Sequence, residues 1–168
     1  MRRSSLFYGN VVPGLEGIAA DEAVRKLPGV VVRAQERGRI WLDYRGPLTE
    51  LLKLGTIEEA LVFVGEILDL AGDESDLTRI EQELAAFPLD GALAALAELR
   101  DLPPAPSFRV TATRKGTQPY TSLVAASYAG SGVQRQRGWR VDLRNHDIDI
   151  WLDIRGPQAV VGIRLTAQ

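Results

Sequence analysis

Between Phe108 and Ser122 the chain reads FRVTATRKGTQPYTS, which brings together Arg114, Lys115, Gly116, Gln118, Tyr120, Thr121 and Ser122. Two cations, a glycine that lets backbone N–H groups approach an anion, an amide, an aromatic ring and two hydroxyls fit a loop that holds nucleic-acid phosphates. Further cations follow: with Arg109, the residues Arg135, Arg137, Arg140 and Arg144 crowd the same C-terminal part. Neutralising several phosphates gives salt-dependent, largely sequence-blind affinity, and Tyr120 is expected to stack on an unpaired base. The other reading of these residues is an ordinary strand, turn and helix with a solvated basic face.

Catalytic sets are expected to be absent. The single histidine, His146, falls in a polar turn between Asn145 and Asp147, and no G-x-S-x-G elbow or Walker glycine loop occurs. Gly9, Gly14 and Gly17 have roughly glycine-rich spacing but fall on a strand, a turn and a helix start. Asp147, Asp149 and Asp153 line one side of a strand, and solvent-facing alternation explains them more simply than a metal site does. With no cysteine, thiolate metal sites and disulfides are excluded.

At 168 residues and 45% hydrophobic composition, the chain suits one ordinary domain or two of about 70 to 100 residues. The N-terminal apolar segment is short and alternates like a strand, and no run approaches the roughly 20 apolar residues of a membrane span. The expected location is therefore cytoplasmic. Net charge is only −2, but residues 1–106 carry −7 and residues 107–168 carry +5. This asymmetry suits a polyanion-facing segment on an acidic remainder.

The elements that position these residues follow from periodicity. Leu6 to Val12 reads as a strand, followed by a helix whose face would carry Leu15, Ile18, Ala19, Ala23 and Leu27 until Pro28-Gly29. Val30 to Ala34 and Arg39 to Tyr44 form a hairpin. A short helix after Pro47 and a strand from Ile57 to Ile67 complete a β-α-β-β-α-β order, the ferredoxin-like arrangement. A boundary is expected near residues 68–74, giving domains at 1–70 and 71–168. Helices follow, one capped by Ser75 and one by Asp90, and then the Pro-rich connection 103–106. Phe108 begins a strand that delivers Arg114-Lys115-Gly116. A helix runs from Thr121 or Ser122 to about Arg137, where Gly138 stops it.

That helix contains Gly130 and Gly132, so either it breaks or something packs closely against it. Val141 and Leu143 begin another extended run. Ile148, Ile150, Leu152 and Ile154 alternate with polar residues in the strongest strand signal of the chain, and a last strand places Ala159, Val161, Ile163 and Leu165 inward. The segments IWLDYRGP (40–47) and IWLDIRGP (150–157) match at seven of eight positions. A helix should follow one and a strand the other, which favours two similar strand-and-turn solutions over a duplication. The fold class is α+β.

The run FRVTATRKGTQPYTS, the following helix, and GWRVDLRNHDIDIWLDIRGPQAVVGIRL together resemble a THUMP domain, the RNA-binding module of tRNA and rRNA modification enzymes. PGLEGIAADEAVRKL in its β-α-β-β-α-β context resembles the ferredoxin-like domain preceding it in THUMP-containing methyltransferases that make N2-methylguanosine in tRNA. The resemblance implies recognition of the tRNA acceptor region and its single-stranded 3′ end, with Arg114, Lys115, Gly116, Tyr120, Thr121 and Ser122 at the family's loop and helix start. The chain departs from the family pattern at Gln118, where members often carry histidine, and at His146, where they often carry proline.

In those methyltransferases an S-adenosylmethionine domain follows. No cofactor is expected in residues 1–168, and catalysis is expected from a downstream domain or a separate methyltransferase. The leading expectation is an RNA-docking module for base modification. The alternative is a non-enzymatic interaction protein whose basic face meets an acidic protein or a small anion.

Overall fold

The computed structural model describes residues 2–167. Met1 and Gln168, at the outer bounds of the two expected domains, lie outside the described residues. In chain order the elements are β1 (Leu6–Asn10), α1 (Glu16–Lys26), β2 (Val31–Glu36), β3 (Arg39–Asp43), α2 (Leu48–Leu51), β4 (Glu59–Ile67), α3 (Ser75–Ala86), α4 (Asp90–Ala97), β5 (Phe108–Lys115), α5 (Ser122–Arg137), β6 (Ile148–Arg155) and β7 (Gln158–Arg164). They make an α+β protein of two compact units, one of residues 2–63, 90–101 and 164–167, the other of residues 64–89 and 102–163. The units are thus not two consecutive blocks cut at residue 70: α4 folds with the first.

In the first unit β3 pairs with both β2 and β1, and β1 pairs with β4, all antiparallel. The order β2-β3-β1-β4 is what a β-α-β-β-α-β ferredoxin-like unit requires. Ile40, Leu42 and Tyr44 point inward as their alternation predicts, joining Phe7, Leu48, Leu51 and Leu61 in the core. The face of α1 differs from expectation. Ala19, Ala20, Ala23 and the C-capping Leu27 are buried, whereas Leu15 and Ile18 are exposed.

Glu22 accounts for that rotation. Its carboxylate accepts from Gly55 N (3.0 Å), Thr56 N (3.0 Å) and Thr56 Oγ1 (2.6 Å) and pairs with Lys26 Nζ at 2.6 Å. Turning Glu22 inward places alanines, not Ile18, against the sheet. Burial alone would raise its pKa, but Lys26, the Thr56 hydroxyl and the Thr56 and Gly55 amides outweigh it and hold it at about 2.

In the second unit β5 lies parallel to β6, and β6 antiparallel to β7, so β5 is an edge strand. Ile148, Ile150, Leu152 and Ile154 are all buried, with Phe108 beside them. The helix α5 is unbroken. Gly132 faces α3, where an added Cβ would collide with the Glu81 carbonyl oxygen and come within 2.9 Å of Leu84 Cβ. Close helix packing is thus what the glycine permits.

Some local expectations are corrected. Ser75 does not cap α3; it is the first helical residue, and its N–H donates to Asp73 Oδ1 at 2.9 Å. Asp90 likewise is the first residue of α4. Val141 and Leu143 form no strand: Val141 makes a single bridge to Phe108, and Leu143 is 69% exposed. The Asp142 carboxylate instead takes the N–H groups of Arg144 and Asn145, closing a turn.

Candidate nucleic-acid interface

The turn that ends β5 is built from both sides. Gly116 has φ +135°, which a side chain would strain, and a Cβ there would lie 2.8 Å from Gln118 Nε2. Gln118 occupies that space. Its Nε2 donates to Lys115 O (3.2 Å) and Gly156 O (3.5 Å), and Gly156 N donates to Lys115 O at 3.0 Å. Arg114 Nη1 donates to Gln118 O at 2.7 Å. Gln118 is buried, so its amide is a filler of the turn and not an outward contact.

Tyr120 also requires correction as a stacking platform. It is 5% exposed, and its hydroxyl donates to Asp76 Oδ2 at 2.9 Å. Burial first, and then the hydrogen bond to the Asp76 carboxylate, push the phenol well above its ordinary pKa, so it stays a donor. A ring so enclosed presents no face to a base. Sequence reasoning could not see this, because Asp76 is 44 residues away.

What the turn does present is cationic. Arg114, Lys115, Gly116 and Thr117 are exposed, and Thr121 starts α5 by accepting from Val124 N with its hydroxyl at 3.2 Å. Ser122 is the first helical residue. This end combines exposed ammonium and guanidinium groups, a glycine backbone and the positive end of a 16-residue helix.

The remaining arginines lie elsewhere. Arg135 and Arg137 are in the last turn of α5, and Gly138 ends the helix in the left-handed conformation at φ +68°. The Arg137 guanidinium sits 5.5 Å from the centre of the Trp139 ring. Arg140 and Arg144 are exposed around Asp142, with Arg140 Nη1 3.3 Å from its carboxylate. The Asn145 and Arg144 amides, with the Arg140 charge, hold the Asp142 carboxyl below its ordinary range. At about 1.5 Å per residue, α5 separates these arginines from the Arg114-Lys115 turn by roughly 24 Å. The predicted basic residues thus form two groups, one at each end of α5.

Between those ends runs a groove of about 400 Å³, lined by Phe108, Val110, Leu123, Gly130, Val141 and Leu143 among others. Leu123 is 80% exposed on its rim. On the other side of β5, Arg109 is committed elsewhere. Its Nη2 pairs with Asp149 Oδ2 at 3.0 Å, and Thr111 Oγ1 donates to Asp149 Oδ1 at 2.7 Å. Asp149 is 6% exposed and not solvent-facing as its alternation suggests. Burial tends to raise its pKa, but the bonds from Arg109, Trp151 and Thr111 prevail and lower it. Among the described residues, no cluster of three or more His, Cys, Asp or Glu side chains is arranged to hold a metal.

Comparison with known proteins agrees with this architecture. Residues 89–164 match the THUMP domain family. The tRNA (guanine(6)-N2)-methyltransferase of Thermus thermophilus is 29% identical over 155 residues, covering 92% of this chain and 43% of that protein. The human tRNA (guanine(6)-N(2))-methyltransferase THUMP3 is 39% identical over 62 residues, covering 36% of this chain and 12% of that protein. The crystal structure of TrmN from Thermus thermophilus superposes with a TM-score of 0.72 at 29% identity, over 97% of this chain and 46% of that one. The chain therefore spans less than half the length of each of these three relatives. Residues 89–164 are a THUMP domain, and the chain carrying it is homologous to the N-terminal part of the THUMP-containing tRNA (guanine-N2) methyltransferases.

Proposed function

We propose that this chain docks tRNA, through its acceptor stem and single-stranded 3′ end, for modification by an S-adenosylmethionine-dependent methyltransferase domain or partner. The observation that carries the reading is the exposed Arg114-Lys115-Gly116-Thr117 turn at the start of α5, held in one shape by Gln118. Mobile phosphates meet a preformed set of cations and N–H donors, so little ordering cost opposes binding. The second basic group, Arg135, Arg140 and Arg144, lies far enough away to engage a different stretch of the same RNA. Similarity to proteins named as tRNA methyltransferases supports tRNA as the RNA and a methyl transfer as the chemistry served.

Titration with a tRNA transcript and with an acceptor-stem duplex lacking the 3′ overhang tests this. Tighter binding of the tRNA is expected; equal or undetectable binding of both at modest salt refutes the acceptor-end reading. Replacing Arg114 and Lys115 together by alanine should weaken tRNA binding and flatten its salt dependence by about one to two units of log–log slope. Thermal stability should fall by about 1 kcal/mol at most, through loss of the Arg114–Gln118 hydrogen bond. An unchanged slope would place the RNA elsewhere.

One observation favours a second reading. The groove beside α5 is largely apolar, with Leu123 and Leu143 exposed on it and cations at both ends, which suits an acidic amphipathic protein segment. Under that reading Leu123→Asp removes partner binding and leaves tRNA affinity unaltered.

A further inference from the structure

Asp76 lies before the matched THUMP residues 89–164 and carries no exposed surface that RNA could touch: it is 2% exposed. Its carboxylate is nevertheless fully employed. Oδ1 accepts from Ala71 N at 2.8 Å, and Oδ2 accepts from Gly72 N at 3.0 Å and from Tyr120 Oη at 2.9 Å. A buried carboxylate is tolerated only where donors replace its water, and the first turn of the 12-residue helix α3 adds a favourable dipole. Two of those donors are backbone groups of the 71–72 turn; the third is a side chain of the basic turn that reaches across to α3.

The consequence is a turn pinned at both ends. On the β5 side, Gln118 ties the turn to Lys115 O and Gly156 O. On the α5 side, Tyr120 ties it to Asp76, immediately before the capping Thr121. The exposed Lys115-Gly116-Thr117 segment is spanned by the Gln118 bond to Lys115 O, and Tyr120 anchors the chain just beyond it.

We infer that Asp76 and Tyr120 act together as positioning residues for the RNA-gripping turn, so that the binding unit includes the start of α3 and not only residues 89–164. This rests on the reading of that turn as an RNA contact. Loss of the bond frees the α5 side of the turn, and tRNA affinity falls by the fraction of molecules that still hold the binding shape. No cation is removed, so the salt slope stays as it was.

The test compares Tyr120→Phe, Asp76→Asn, their combination, and Lys115→Ala in the full chain, with a tRNA transcript as probe. Tyr120→Phe keeps the ring in place and removes only the hydroxyl. Expected are faster amide exchange across residues 116–122, and tRNA binding weakened by about threefold to tenfold at unchanged salt slope. The combination should be no worse than the worse single variant. Lys115→Ala should reduce the slope. Unchanged exchange in Tyr120→Phe, or additive losses in the combination, overturns the positioning role while the RNA reading stands. No effect of Lys115→Ala on either affinity or slope overturns the RNA reading, and the inference with it. Should Asp76→Asn fail to fold, Tyr120→Phe decides alone.

Discussion

Two glycines of α5, two positions apart, should respond to alanine with opposite signs. At Gly130 a Cβ would lie 4.0 Å from Phe108 Cε2 and from Val110 Cγ2, ordinary contact distances. Gly130→Ala therefore keeps only the gain in helix propensity, about 1 kcal/mol. At Gly132 the same atom would overlap the Glu81 carbonyl oxygen and stand 2.9 Å from Leu84 Cβ and 3.0 Å from Ala85 N. These neighbours are backbone atoms and the first side-chain carbon of α3, and none can rotate aside.

Restoring contacts of about 3.5 to 4.0 Å requires α3 and α5 to part by roughly 1 to 2 Å. Overpacking of that kind costs about 1 to 3 kcal/mol, and with backbone on both sides the upper half of the range applies. Subtracting the propensity gain leaves Gly132→Ala destabilised by about 1 to 2 kcal/mol. Urea denaturation followed by far-ultraviolet circular dichroism measures both, with the slope against urea shared between variants. Stabilisation of Gly132→Ala equal to that of Gly130→Ala would refute the close α3–α5 packing.

Glu22 should make stability depend on acid. Its folded pKa of about 2 lies below the ordinary 4.5, so its contribution is complete above pH 4.5 and is lost as pH falls toward 2. The shift bounds that contribution at about 3 kcal/mol. Glu22→Gln should therefore lose stability at pH 7 and progressively less toward about pH 3; a deficit constant with pH would contradict this. Asp149→Ala leaves the partly buried Arg109 guanidinium without its carboxylate and should cost about 2 to 3 kcal/mol, partly recovered by adding Arg109→Met. No recovery in the double variant would argue against that pairing.

Much of the fold is legible in local order. Alternation over Ile148–Arg155 marks a strand, and Thr121 and Gly138 mark the ends of α5, because periodicity and capping depend on neighbours a few residues apart. The β-α-β-β-α-β order similarly gives the first unit its sheet, since few antiparallel arrangements accommodate it. The near-identical segments 40–47 and 150–157 show the limit of such reading. One continues into α2 and the other into β7, because the residues beyond each turn, LTEL in one case and QAVVGIR in the other, suit different elements.

The site was legible in composition and not in orientation. By itself the sequence determines that cations, a glycine turn and a helix start coincide at residues 114–122, since these are adjacent along the chain. Only the tertiary structure decides that Gln118 and Tyr120 turn inward and that Asp149 is buried. Those outcomes depend on partners about 40 residues away: Asp76 for Tyr120, Gly156 for Gln118, Arg109 and Thr111 for Asp149. A polar side chain goes to the interior wherever a matching donor or acceptor awaits it there, and no spacing along the chain records where that partner is.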